Sequence, residues 1–136
     1  MSSKEPTHEL PLGHGELILI VDDEESVRET TGRLLEHYGY KVLTSTDGTQ
    51  AVAACIEHLD AIHLMITDMK MPHLDGAKTI QTLRKVSPKM KIIAMSGYSP
   101  TPSRAGVQAL QAEAYLAKPF SKEMLLQTVR NVLGKP

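Results

Sequence analysis

The chain has 136 residues, enough for one domain with a core of ordinary size. Its hydrophobic share of 41% and charged share of 23% are those of a globular protein, and a formal net charge of −1 gives no overall attraction to nucleic acid or to a membrane surface. No apolar run approaches the length of a membrane span, no secretory pattern opens the chain, and a single cysteine, Cys55, excludes an internal disulfide and fits a reducing compartment.

Residues 1–15 carry Pro6, Pro11, Gly13 and Gly15 without apolar periodicity. They read as an extended leader or linker before a domain spanning 16–134. A first strand at about 17–22 precedes a first helix at about 25–38, with Val27, Leu34, Leu35 and Tyr38 on one face and Gly39 at its end. The second strand is Lys41-Val42-Leu43-Thr44. Asp47-Gly48 then leads into a second helix whose apolar stripe is Val52, Cys55, Ile56 and Leu59. Cys55 reads as a small core residue on that stripe. The third strand is about 62–67. Asp75 is the expected N-cap of a third helix, which buries Ile80 and Leu83 and stops before Pro88. The fourth strand is Lys91 to Met95, followed by a fourth helix at about 102–111, delayed by Pro100 and Pro102. The fifth strand is 114–117. Ser121 caps a fifth helix with an inward face of Met124, Leu125, Val129 and Val132, closed by Gly134.

Strict alternation of strand and helix implies a parallel sheet covered by helices on both faces. The expected fold is α/β: a flavodoxin-like, doubly wound (βα)5 arrangement of five parallel strands in the order 2-1-3-4-5. In such sheets, sites form beyond the carboxyl ends of the strands. Asp22-Asp23, Asp68, Ser96 and Lys118 all sit at such ends, and the strand order places them around one rim.

Each of these features has an ordinary reading when taken alone. Asp22-Asp23 suits a helix start, Asp68 a turn before Met71-Pro72, and Ser96-Gly97 a simple turn. Tyr115 reads equally as a static, half-buried strand aromatic. Glu24 and Glu25 suit the positive end of the first helix, which is preferred here to metal ligation. The six histidines, His8, His14, His37, His58, His63 and His73, show no metal-ligand spacing.

Taken together, four motifs carry a resemblance: Val21-Asp22-Asp23-Glu24, Asp68 through Gly76, Met95-Ser96-Gly97 and Lys118-Pro119-Phe120. Over about 16–134 the chain resembles the receiver domain of two-component response regulators. That resemblance implies that Asp68 accepts a phosphoryl group from a phosphohistidine. It implies that Asp22, Asp23, Asp68 and the backbone carbonyl of Lys70 hold Mg2+ or Mn2+. Ser96 and Lys118 are then expected to contact the phosphoryl group, and Ser96 and Tyr115 to change position with it, reshaping the surface of the fourth strand, fourth helix and fifth strand. The chemistry agrees with this: carboxylate oxygens are hard ligands suited to Mg2+, and phosphoryl transfer needs positioning and charge neutralisation more than covalent help. A cis bond before Pro119 is expected on the same basis.

The implied partners are a sensor histidine kinase or a histidine phosphotransfer protein, in the cytoplasm, without direct contact to nucleic acid or membrane. A dimer through the face of the fourth helix, fifth strand and fifth helix is also consistent with the family. Departures from the common pattern are Gln111, where many receivers have Gly, and a bulky Tyr98 two residues after Ser96. The chain leaves no room after its fifth helix for a helix-turn-helix output domain, so a stand-alone or excised receiver is expected. Gly13-His14-Gly15-Glu16-Leu17-Ile18 is similar to the linker before the receivers of hybrid sensor histidine kinases. Among other classes, a flavodoxin would need a phosphate-cradling loop where Asp22 to Glu25 would repel phosphate. A haloacid-dehalogenase-like phosphatase would space its two acids two apart. A receiver-like interaction module that is not phosphorylated is the remaining alternative.

Overall fold

The computed structural model describes residues 10–68, 76–96 and 112–134. Five parallel strands form one sheet: β1 (Leu17–Val21), β2 (Lys41–Ser45), β3 (Ile62–Asp68), β4 (Lys91–Ser96) and β5 (Ala114–Ala117). Their order is β2-β1-β3-β4-β5, as expected for a five-stranded flavodoxin-like fold. The helices are α1 (Glu25–His37), α2 (Gly48–Glu57), α3 (Gly76–Val86) and a C-terminal helix (Lys122–Leu133). The expected helix at 102–111, the Asp75 cap, Lys70, Tyr98 and Gln111 lie outside the described residues.

β1 is apolar at every position because both of its faces are covered, and Ile18 to Val21 are fully buried. Alternation divides the core in two. Ile18, Ile20, Leu64, Ile66, Ile93 and Met95 face α1 and the C-terminal helix, where Leu35, Leu125, Leu126 and Val129 meet them. Leu19, Val21, Met65 and Ile92 face α2 and α3, where Ala51, Cys55 and Leu83 meet them. Edge strand β2 keeps Lys41 and Thr44 exposed.

The Ser121 cap forms as expected, and Asp47 caps α2. Ser121 Oγ accepts the Met124 N–H at 3.0 Å, and Asp47 Oδ1 accepts the Gln50 N–H at 2.9 Å. α3 ends at Val86, before Pro88. Helix faces depart from the sequence reading in two places. α2 buries Gly48, Ala51 and Cys55, while Ile56 and Leu59 are exposed. The C-terminal helix buries Leu126 with Leu125 and Val129 and leaves Met124 exposed. Small residues win in α2 because they allow closer approach to the sheet than a branched side chain would.

Residues 10–15 contain no helix or strand, but they are docked on the domain. Gly13 N–H donates to Tyr38 O at 2.6 Å and Gly15 N–H to Gly39 O at 2.8 Å. Arg130 of the C-terminal helix donates to Leu12 O at 2.8 Å. Two glycines permit this crossing: a Cβ on Gly13 would lie 2.5 Å from the Tyr40 ring, and Gly39, with φ +99°, would place one 2.6 Å from Gly13 O.

Candidate functional site

The carboxyl ends of the strands converge through register. Val21 pairs with Thr67, Asp68 with Met95, and Ser96 with Ala117. Asp22 therefore follows the last paired residue of β1, Asp68 and Ser96 close β3 and β4, and Lys118 follows β5. The Lys118 N–H donates to Ser96 O at 2.8 Å, which ties the β5 end to the β4 end. The Lys118–Pro119 bond is cis, as expected.

The buried core runs up to the site without a break. Asp22 is fully buried, and Asp68 and Ser96 are each 6% exposed, whereas Asp23 is exposed. One carboxylate oxygen from each of Asp22, Asp23 and Asp68 lies within 4.8 Å of the other two. Acids this close, two of them out of water, repel strongly and need a cation. Lys118 supplies one positive charge: Nζ donates to Asp22 Oδ2 at 2.7 Å and to Asp68 Oδ2 at 3.3 Å, and lies 3.6 Å from Glu24 Oε1. Burial alone would lower the lysine's pKa, but the Asp22 hydrogen bond and the Asp68 charge outweigh it and hold the ammonium above its ordinary value.

Among the described residues, the charge of Lys118 alone is smaller than that of the three carboxylates. The remaining negative charge, the hard oxygen donors and the opening to solvent at Asp23 fit a divalent cation such as Mg2+. Glu24 is outside this cluster; its N–H donates to Asp22 Oδ1 at 2.9 Å and its side chain makes no cap bond.

Sequence reasoning passed over two groups that hold Asp22. Ser45 O accepts the Asp22 N–H at 3.1 Å, and Arg28 Nη1 donates to Asp22 O at 2.7 Å. A basic residue one turn into α1, close in sequence to two acids, was the available signal for Arg28. Tyr115 is half-buried in β5, and its hydroxyl is buried without a hydrogen-bond partner among the described residues.

A family model for the response regulator receiver domain matches residues 18–130. The chain belongs to the response regulator receiver family. This receiver is 33% identical over 118 residues to the sensor kinase CckA of Brucella abortus, covering 87% of this chain and 12% of that protein. It spans about half the length of other curated relatives, such as a probable transcriptional regulator, ycf27, of Cyanophora paradoxa (48% covered, 37% identical). A receiver domain structure from Clostridium thermocellum superposes with a TM-score of 0.79 at 31% identity, covering 86% of this receiver and 93% of that chain. The response regulator TrrA of Thermotoga maritima, solved in complex with Mg2+-BeF, gives 0.75 at 30% identity, with 86% and 98% covered. The chain is thus a receiver domain of two-component signal transduction. Among the described residues, no helix is long and apolar enough to cross a membrane.

Proposed function

We propose that this receiver accepts a phosphoryl group on Asp68 from a phosphohistidine and changes the surface around β4 and β5 in response. The observation that carries the reading is the convergence of Asp22, Asp23, Asp68 and Lys118 at one rim, with the two inner acids buried. A carboxylate oxygen of Asp68 attacks phosphorus, the phosphorus–nitrogen bond breaks, and the imidazole leaves with its electron pair. The new bond is an acyl phosphate. Lys118 neutralises charge on the transferring group and orients it from the β5 side.

Asp22, Asp23 and Asp68, with the Lys70 carbonyl, would hold Mg2+ or Mn2+. When bound, the ion supplies positive charge to the phosphoryl oxygens and relieves repulsion among the acids. TrrA, solved with Mg2+-BeF, supports this choice. Ser96 turns its hydroxyl toward the phosphoryl group, and Tyr115 responds with a change of rotamer. A buried, unpartnered Tyr115 hydroxyl costs about 1–3 kcal/mol and favours a second position where it is solvated or bonded.

The phosphoryl donor is a sensor histidine kinase or a histidine phosphotransfer protein, in the cytoplasm, and similarity to a sensor kinase supports a kinase context. The domain core is 16–134, and a dimer would use the face at β5 and the C-terminal helix. Electrospray mass measurement after incubation with Mg2+ and acetyl phosphate tests the acceptor role. A gain of one phosphoryl group in the wild type, absent in Asp68→Asn, is expected. No gain, or a gain retained by Asp68→Asn, would leave a receiver that is an interaction module only.

A further inference from the structure

Arg28 grips the turn between β1 and α1 twice. Its main-chain N–H donates to Glu24 O at 3.1 Å, the first turn of α1. Its Nη1 donates to Asp22 O at 2.7 Å. Glu24 N–H in turn donates to Asp22 Oδ1 at 2.9 Å, which closes a circuit of three hydrogen bonds around Asp22, Asp23 and Glu24.

Asp22 is fully buried and stands just past the end of β1, where the strand ladder no longer supplies donors. A buried carbonyl there needs a donor from elsewhere. The Asp22 N–H is already held by Ser45 O, Oδ1 by Glu24 N–H and Oδ2 by Lys118. The Arg28 bond completes the set, so both the main chain and the carboxylate of Asp22 have one orientation. Asp23, the next residue, is exposed and takes its position from the same turn.

We propose that Arg28 is a positioning residue of the acidic site, presetting Asp22 and Asp23 for a divalent cation through the Asp22 carbonyl. The inference rests on the reading that these acids hold Mg2+. It makes a prediction opposite in sign to a purely electrostatic role. A guanidinium near a cation site repels the cation, so loss of charge alone would tighten binding. Loss of positioning weakens it, and removal of such supporting partners typically costs about 10–100-fold in metal affinity.

The test is calorimetric Mg2+ titration of the wild type, Asp22→Asn, Arg28→Met and Arg28→Gln, with thermal unfolding of each in chelator. Arg28 is only half-buried, so its truncation leaves the core intact, and the Gln variant serves if Met impairs folding. About tenfold weaker Mg2+ binding in the Arg28 variants is expected. A merely structural role would lower the unfolding temperature in chelator and leave the Mg2+ Kd unchanged. Equal or tighter binding in the Arg28 variants, with the wild type binding and Asp22→Asn not, would overturn the Arg28 assignment alone. Absence of saturable binding in the wild type would overturn the reading of the site as well.

Discussion

Lys118→Met should destabilise the cation-free receiver and make it more responsive to Mg2+. Methionine keeps most of the apolar stem and removes the ammonium. That ammonium lies 2.7 Å from Asp22 Oδ2 and 3.3 Å from Asp68 Oδ2. Removing one partner of a buried ion pair costs about 3–5 kcal/mol, because the other charge is left uncompensated. Lys118 is 17% exposed and Asp23 opens to water, so screening brings the expected loss to about 2–3 kcal/mol. For a chain of this length roughly 4 °C accompanies each kcal/mol, a fall in Tm of about 8–12 °C in chelator. An ion that binds only the folded state adds about 2.7 kcal/mol when present at about 100 times its Kd. With the competing ammonium gone, the Mg2+-dependent rise in Tm should be larger in Lys118→Met than in the wild type. Calorimetric melts in chelator and in saturating Mg2+ measure both effects. An unchanged Tm in chelator, or an equal Mg2+ response in the two proteins, would refute the claim that Lys118 offsets part of the charge of the clustered acids.

Burial works against ionisation of Glu16, but the His14 N–H bond at 2.6 Å and nearby Arg130 outweigh it and hold the carboxyl below its usual range. Its stabilisation is therefore present above the ordinary glutamate value of about 4.3 and is lost as pH falls through the lower folded value. Glu16→Gln should be less stable at neutral pH and show a flatter acid limb in denaturant titrations; parallel acid limbs would contradict this. Gly39→Val places a Cβ 2.6 Å from Gly13 O at φ +99°, and should cost about 1–3 kcal/mol by equilibrium unfolding while residues 10–15 gain protease sensitivity. Burial pushes the Cys55 thiol up, against a smaller opposing effect of Ser87, so a thiol reagent should label it only at the rate of unfolding. Fast labelling of the native protein would place Cys55 outside the core.

The strands were legible because burial on both faces leaves an unbroken apolar run, as in Leu17 to Val21, and because the acids and Lys118 mark where those runs end. Alternation implied the parallel sheet, and the five-strand count favoured the flavodoxin-like order that is observed. The helix faces were less legible. On α2 the stripe was read as Val52, Cys55, Ile56 and Leu59; Cys55 is buried as read, but Ala51 is buried with it while Ile56 and Leu59 are exposed. The docking of residues 10–15 was hidden because Gly13 and Gly15 carry no periodic signal. Their role appears only against Tyr40 and Gly39, about 25 residues away in the chain. Within the site, carboxylates and lysine were found by position at strand ends. Arg28 was missed because its contact is to a backbone carbonyl, so its place one turn into α1 near two acids was the signal, and not a side-chain pairing.

Peptide mapping of the receiver after treatment with Mg2+ and acetyl phosphate, with the acyl phosphate trapped by borohydride reduction, tests the central claim most directly. The account predicts a single modified residue, Asp68, and no modification when the cation is chelated. Modification at Asp22 or Asp23, or none at all in the presence of Mg2+, would contradict it.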